Sequence, residues 1–336
     1  MNTVLAVPDT SYVAGARREV ETLARRIGFD EEDRGRAALV ATELATNLAR
    51  HGGGGDVLAK AIQTDAATGL ELIAIDRGPG IANVAHSLRD GNSTYGTSGS
   101  SSGTGLGAIR RQADEFDIFS TPGQGTAVLA RLWPQRQPVV NRVVQIGSVS
   151  VPKREEQVCG DSLGWLQAGT TVSAMVVDGL GHGVMANAAA EEARRLFCRG
   201  FTPSPAAVVQ KIHAGLRATR GAAVGIVTVD LAASQAVFCG LGNIAGLAAA
   251  GGSVRRFVSM NGIAGHTAGT FREFIYPCDG AGLVIVMHSD GISANWSLDR
   301  YHGLSGRHAS LIAAVLLRDC GRGRDDATIL VMKRAP

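Results

Sequence analysis

The sequence predicts a mixed α/β protein of two domains. Three observations carry that expectation. The chain has 336 residues, more than a single hydrophobic core ordinarily serves. Apolar strand-like runs alternate with segments of helical periodicity along its length. A short polar stretch, Pro134-Gln135-Arg136-Gln137-Pro138, separates two halves that each repeat this mixture. The expected domains are 1–133 and 143–336, with 134–142 as the linker.

Composition narrows the function classes. Hydrophobic residues make up 45% of the chain and aromatic residues only 5%, so Ala, Val, Leu and Ile must fill the cores. The formal net charge is +3 with the signs interspersed, which gives no footprint for nucleic acid or an anionic membrane. Cys159, Cys198, Cys239, Cys278 and Cys320 are scattered without metal-ligand spacing, as suits a reducing compartment. Cys159 lies near a proposed site residue but reads as a buried bystander. The N-terminus lacks a signal-peptide pattern and no apolar run is long enough to span a bilayer, so a cytoplasmic protein is expected.

In the first half, residues 3–7 read as a short strand. Asp9 or Thr10 can cap a helix over 12–27, which Gly28 stops. Asp30 can cap a second helix through Arg50, closed by His51 and four consecutive glycines. Strands are expected at 57–63 and 70–76, followed by the turn Asp76-Arg77-Gly78-Pro79-Gly80-Ile81. Residues 90–107 are dominated by Gly, Ser and Thr, which alone would suggest a linker. A helix over 106–116 and strands at 116–120 and 126–132 follow directly. The run therefore lies inside a domain, where a long loop usually serves as a lid.

The second half opens near Val143 and is rich in strands. Helices are expected at 184–199, 204–219 and 308–320. Strands are expected at 223–230, 236–239, 245–249, 254–258, 274–277, 283–287 and 327–333. No repeat of fixed period is present. Its most informative stretch is Met175-Val176-Val177-Asp178-Gly179-Leu180-Gly181-His182-Gly183, an apolar run that ends in an aspartate and a glycine-rich turn. Ser289-Asp290-Gly291 ends a second such run, and Asp325-Asp326 stands directly before a third. Hard divalent cations need oxygen ligands of this kind, and a two-metal hydrolytic site needs several of them to converge.

A separate constellation occupies the first half. Glu43 and Asn47 are four residues apart and share one helical face. An Asn amide oxygen can ligate Mg²⁺, and a carboxylate beside it can take a proton from a hydroxyl. Taken alone, the pair reads equally as a solvated polar face. Asp76, Gly78 and Gly80 add a carboxylate at a strand end with glycines that allow close backbone approach. Ser102-Gly103-Thr104-Gly105-Leu106-Gly107-Ala108 then opens a helix, as phosphate-binding loops do. These residues resemble the GHKL ATPase superfamily, and within it the anti-sigma serine kinases and RsbT-type switch kinases. The resemblance spans nearly all of 1–133 and implies a GHKL (Bergerat) α/β sandwich that binds ATP with Mg²⁺. It places Glu43 and Asn47 in the N box, with Glu43 as general base if the domain is an active kinase. Asp76, Gly78 and Gly80 match the first glycine box, Gly103, Gly105 and Gly107 the second, and Thr126 helps bind adenine.

The aspartates of 143–333 resemble the PPM (protein phosphatase 2C type) serine/threonine phosphatases, and most of all their SpoIIE, RsbU and RsbX group. Singly, each Asp-Gly reads as a turn; three in family order read as a ligand set. The resemblance implies an α-β-β-α sandwich with two Mn²⁺ or Mg²⁺ ions. It assigns Asp178, the Gly179 carbonyl, Asp290 and Asp325 as metal ligands, with Asp161 acting near the metals. Asp326 falls where many members have Asn or Asp. His182 follows the Asp-Gly after two intervening residues, and can protonate a leaving oxygen or simply shape a glycine turn. Lys153 and Arg154 miss the position of the family's phosphate-binding arginine. His213, His266 and His308 read as bystanders and Asn243 as a turn residue. Together the two resemblances imply a phosphatase with an ATP-binding regulatory domain in bacterial partner switching. Its substrate would be a phosphorylated anti-sigma antagonist (STAS) or related stress-signalling protein. The alternatives are a bifunctional serine kinase and phosphatase, or a nucleotide-dependent switch with an inert phosphatase fold.

Overall fold

The computed structural model describes residues 1–64, 66–88, 105–136, 143–279 and 282–334. The chain divides into two compact units, Asn2–Asn141 and Arg142–Pro336. Most of the glycine- and serine-rich run, including Gly103, and part of the expected linker lie outside the described residues.

The first unit is one antiparallel sheet with helices on one face. Its strands are β1 (Thr3–Val7), β2 (Gly55–Gln63), β3 (Thr68–Ile75), β4 (Glu115–Thr121) and β5 (Gly125–Leu132), in the order β1-β2-β3-β5-β4. The helices are α1 (Val13–Arg26), α2 (Glu31–His51), the short α3 (Val84–Ser87) and α4 (Gly105–Gln112). The central α2 buries Ala37, Val40, Ala41, Leu44, Ala45 and Leu48, spaced by three or four residues as one helical face requires. The Asp30 side chain accepts the Asp33 N–H at 2.8 Å, and acids in the first turn complement the helix dipole. Beyond His51, Gly53 and Gly54 take φ of 68° and 94°, so the four-glycine run turns the chain straight into β2.

The helix expected over 106–116 ends at Gln112 instead. The Asp114 carboxylate accepts the Trp133 N–H at 2.6 Å and the Arg36 guanidinium at 2.8 Å. Arg36 also bonds Asp33 at 2.6 Å. This buried cluster turns the chain out of α4 and into β4, and joins the start of α2 to the far edge of the sheet. No short-range pattern announces it, because its members are distant in sequence.

The second unit is a four-layer sandwich. One antiparallel sheet has the order β13-β10-β9-β8-β7, and the other β12-β11-β14-β15-β6. The first contains β7 (Asp161–Ala168), β8 (Thr171–Gly179), β9 (Ala222–Asp230), β10 (Gln235–Leu241) and β13 (Phe274–Pro277). The second contains β6 (Val144–Val151), β11 (Ala245–Ala250), β12 (Ser253–Arg256), β14 (Val284–His288) and β15 (Ala327–Arg334). Val172, Val176, Val227 and Phe238 meet Ile285, Met287 and Leu330 between the sheets. Helices α5 (Val184–Phe197) and α6 (Pro205–Gly215) cover the outer face of the first sheet through Ala190, Leu196, Val209 and Ile212. Helix α7 (Ala309–Cys320) lies on β6 and β15 of the second. This is the expected α-β-β-α architecture. The pairing of β7 with β8 was not foreseen, and it sets Asp161 directly opposite Asp178.

The contact of α7 with β6 leaves no space at Gly147, where an added Cβ would collide with the backbone of Ala309 and Ser310. Gly147→Ala is therefore expected to destabilise the second unit by roughly 1–3 kcal/mol or more. Gly200→Ala, where a Cβ meets nothing within 4 Å, is the control and should melt like the wild type. Thermal denaturation of the two variants checks this.

Candidate functional site

Four strand termini converge at one end of the second sandwich. Asp161 opens β7 and Asp178 is the penultimate residue of β8. The Ser289-Asp290-Gly291 turn follows β14, and Asp325-Asp326 precedes β15. The two sheets are stitched together here. Buried Ser289 donates its hydroxyl to Asp161 Oδ2 at 2.6 Å and accepts the Thr328 N–H at 3.0 Å. Asn243 donates its side-chain amide to Asp290 Oδ2 at 2.8 Å, so it orients a candidate ligand and is more than a turn residue. The Lys153 backbone N–H bonds Asp326 Oδ1 at 2.8 Å. Gly179 N–H bonds the Gly160 carbonyl at 3.1 Å, closing the loop before β7 against the end of β8.

The carboxylates sense one another. Burial pushes the Asp178 carboxyl up to about 9, with Asp161, Asp290, Asp325 and Asp326 adding repulsion. Burial raises Asp161 to about 7, and Asp326 and Asp325 oppose its ionisation further. Asp290 is raised by burial and then by Asp325. Among the described residues, no three His, Cys, Asp or Glu side chains are closed into a metal-ligating group. The donors nevertheless fit a hard cation. They are all oxygens, they repel one another when charged, and the buried Asp326 Oδ2 has no hydrogen-bond partner. Asp326 is buried whereas Asp325 is exposed, so the second acid of this pair faces inward. Burial, and next the Asp161 charge, drive the Cys159 thiol up to about 12, which leaves it protonated and inert.

His182 sits in the turn after Gly179, with its Nδ1 2.6 Å from Glu156 Oε1. Glu156 belongs to the same β6–β7 loop that supplies Lys153 and Gly160. Sequence reasoning passed over it, because an acid in a polar loop carries no spacing signal. His308 caps α7, its Nδ1 accepting the Ser310 N–H at 3.1 Å. His213 Nδ1 accepts the Gly265 N–H at 3.2 Å. Both therefore serve local structure.

In the first unit, Asp76 follows β3 and its Oδ1 accepts the Gly78 N–H at 2.8 Å and the Thr126 N–H at 3.1 Å. Glycines line this corner because nothing larger fits. A Cβ on Gly52 would lie 2.8 Å from the Asp76 Cβ, and one on Gly78 would lie 2.8 Å from the Gly52 carbonyl oxygen. Gly80 and Gly125 take φ of 70° and 85°. The Thr126 hydroxyl lies 2.8 Å from that of Ser120, which in turn accepts the Ile81 N–H at 2.8 Å. At the start of α4, a Cβ on Gly105 would stand 3.0 Å from Glu43 Oε2 and 3.2 Å from Asn47 Oδ1. The Asn47 Nδ2 is buried without a partner. Because amide O and N assignments interchange, this position offers a buried polar atom to a nucleotide-bound cation. The structure thus gathers Glu43, Asn47, Gly105 and Gly107 in one region, with Asp76, Gly78, Gly80 and Thr126 in the glycine-lined corner. A groove of about 620 Å³ runs along α1 and α2, lined by Arg17, Glu21, Arg34, Leu39 and Thr42, and reaches Glu43.

Comparison with known proteins separates the two halves. The histidine kinase-like ATPase domain family matches residues 6–132. The serine/threonine-protein kinase RsbT of Bacillus subtilis (strain 168) is 33% identical over 121 residues, 36% of this chain and 88% of RsbT. The chain belongs to the RsbT family. Beyond its RsbT-like part the chain carries a second fold, for which solved structures give the likeness. RsbX in complex with magnesium superposes with a TM-score of 0.53 at 18% identity, covering 59% of this chain and 98% of RsbX. A chain from the bacterial stressosome, described as a modular system adapted to control secondary messenger signalling, gives a TM-score of 0.52 at 24% identity. That match covers 57% of this chain and all of the other, 100%. This RsbT-family chain therefore combines a histidine kinase-like ATPase domain with a PPM-type phosphatase fold. No helix among the described residues is long and apolar enough to cross a membrane.

The raised carboxyls have a consequence for stability. The folded-state value of Asp178 lies above its ordinary 3.8, so the folded chain holds more protons between about pH 4 and pH 9. The contribution of Asp178 to the stability of the metal-free chain then falls as pH rises through that window. Asp178→Asn should raise the metal-free melting temperature at pH 8, by roughly 2–4 °C for each kcal/mol of repulsion relieved. The gain should vanish near pH 4, where the wild-type carboxyl is already protonated. Melting curves with chelator at both pH values measure it.

Proposed function

We propose that the chain is a metal-dependent protein serine/threonine phosphatase regulated by an ATP-binding domain, acting in partner switching. The observation that carries this reading is the convergence of mutually repelling carboxylates from both sheets, with an unpartnered oxygen among them. Asp178, the Gly179 carbonyl, Asp290 and Asp325 would hold two Mn²⁺ or Mg²⁺ ions, with Asp161 and Asp326 supporting them. Bound there, the ions supply Lewis acidity toward the phosphoryl oxygens and lower the pKa of water. The remaining work falls to side chains. Ser289 fixes Asp161, Asn243 fixes Asp290, and the Lys153 N–H fixes Asp326. Glu156 holds His182 through Nδ1, which leaves Nε2 to hand a proton to the departing serine or threonine oxygen.

In the first unit, Asp76 and Thr126 would meet adenine, and Asn47 the nucleotide-linked Mg²⁺. Gly105, Gly107 and Gly103 would lie along the phosphates. The domains are assigned as 1–133 and 143–336. The substrate we assign is phosphoserine or phosphothreonine on a STAS-type antagonist or a related stress-signalling protein. This rests on the RsbT relationship and on the likeness to RsbX and a stressosome chain.

One observation favours a second reading. Glu43 lies beside Asn47 and Gly105 and also lines the groove along α1 and α2, where a substrate hydroxyl could reach it. On that reading the chain also phosphorylates what it dephosphorylates.

Mn²⁺-dependent hydrolysis of p-nitrophenyl phosphate and of a phosphoserine peptide tests the main reading. Activity should be present in the wild type and fall by at least about 10²-fold in Asp178→Ala and Asp290→Ala. Wild-type protein that is inactive with and without ATP would overturn it. Transfer of labelled phosphate from ATP to a STAS protein, lost in Glu43→Gln, would establish the second reading; its absence in the wild type would dismiss it.

A further inference from the structure

The turn that follows Asp178-Gly179 exposes an unusual amount of apolar surface. Leu180 is 49% exposed, Val184 70% and Met185 57%. Single exposed apolar residues need no explanation, but three within six positions, directly after a candidate metal ligand, are not scattered singly. Backbone geometry fixes them in place. Gly181 and Gly183 take φ of 91° and 74°, values that favour glycine, in the turn that joins Leu180 to the start of α5. The Leu180 N–H donates to the Gly221 carbonyl at 3.0 Å, which anchors the turn to the segment leading into β9. Arg220, just before that anchor, lays its guanidinium against the turn, with Nη1 3.2 Å from where a Cβ on Gly181 would stand. Arg220 is exposed and makes no hydrogen bond or ion pair among the described residues.

We propose that Leu180, Val184 and Met185, with Arg220 beside them, form the docking surface for a protein segment whose phosphoserine or phosphothreonine is flanked by apolar residues. The proposal rests on the phosphatase reading and specifies its substrate. Two features commit the surface to this occupant. It is continuous with the site, beginning at the residue after Gly179. It also pairs an unengaged guanidinium, suited to a phosphate dianion, with an apolar wall that a free phosphate would not use. A small phosphoester needs only the carboxylate site and the cation. A folded or extended protein brings side chains that cover Val184 and Met185.

Two phosphoserine dodecapeptides of equal charge test the proposal, one with Leu and Val flanking the phosphoserine and one with Ser and Gly. With the full chain and Mn²⁺, kcat/KM should favour the apolar-flanked peptide by about tenfold. Val184→Asp combined with Met185→Glu should abolish that preference. Acidic residues suit the first turn of a helix, and a melting curve verifies that the fold persists. Val184→Ser with Met185→Ser is the milder variant and should reduce the preference in the same direction. Arg220→Ala should weaken both peptides alike, through KM. Equal rates for the two peptides in the wild type, or a preference that survives in both double variants, would overturn the proposal. Turnover of p-nitrophenyl phosphate in the same buffer reports separately on the phosphatase reading. If that turnover is absent, anisotropy of the labelled peptides decides: tighter binding of the apolar-flanked peptide, lost in the double variant, supports the surface, and equal affinity overturns it.

Discussion

Carboxylates brought together at one end of a β-sandwich oppose one another's ionisation, and the second half of the chain is built around that conflict. Burial and like charge both act on Asp178 and Asp161. Hydrogen bonds relieve part of the cost. Ser289 reaches from one sheet to Asp161 in the other, Asn243 reaches Asp290, and the Lys153 N–H reaches Asp326. These bonds hold the acids in position without neutralising them. A divalent cation is the counter-charge that suits an all-oxygen set, and it would convert the repulsion into affinity.

The first half solves a different problem, close backbone approach. The corner around Asp76 is packed so tightly that Gly52 and Gly78 have no space for a side chain. One carboxylate oxygen of Asp76 ties the turn after β3 to the start of β5 through the Gly78 and Thr126 N–H groups. The long α2 runs past this corner with Glu43 and Asn47 on the face that meets Gly105. Here glycine marks places where a ligand or neighbouring backbone comes near, rather than places where the chain is loose.

Much of this was legible in the sequence, for physical reasons. Strongly periodic α2, with its Asp30 cap and glycine stop, declared itself, as did the apolar runs that became β8, β14 and β15. The aspartates at their ends could be found because each interrupts an apolar run. Contacts between residues far apart in sequence could not. The Arg36 cluster that stops α4 at Gln112 joins residues almost a hundred positions apart. Ser289 and Asn243 look like ordinary turn residues until the sheets are stacked. Glu156 shows its use only when the β6–β7 loop meets His182. The exposure of Val184 and Met185 was equally hidden, since an apolar residue at a helix start reads as core.

The central claim is that the converging carboxylates are a divalent-cation site. Calorimetric titration of the chelator-treated chain with Mn²⁺ tests it most directly. The account predicts saturable binding of about two ions per chain, as two-metal sites require, lost when either Asp178 or Asp290 is replaced by alanine. Absence of saturable binding, or binding unchanged in both variants, would contradict it.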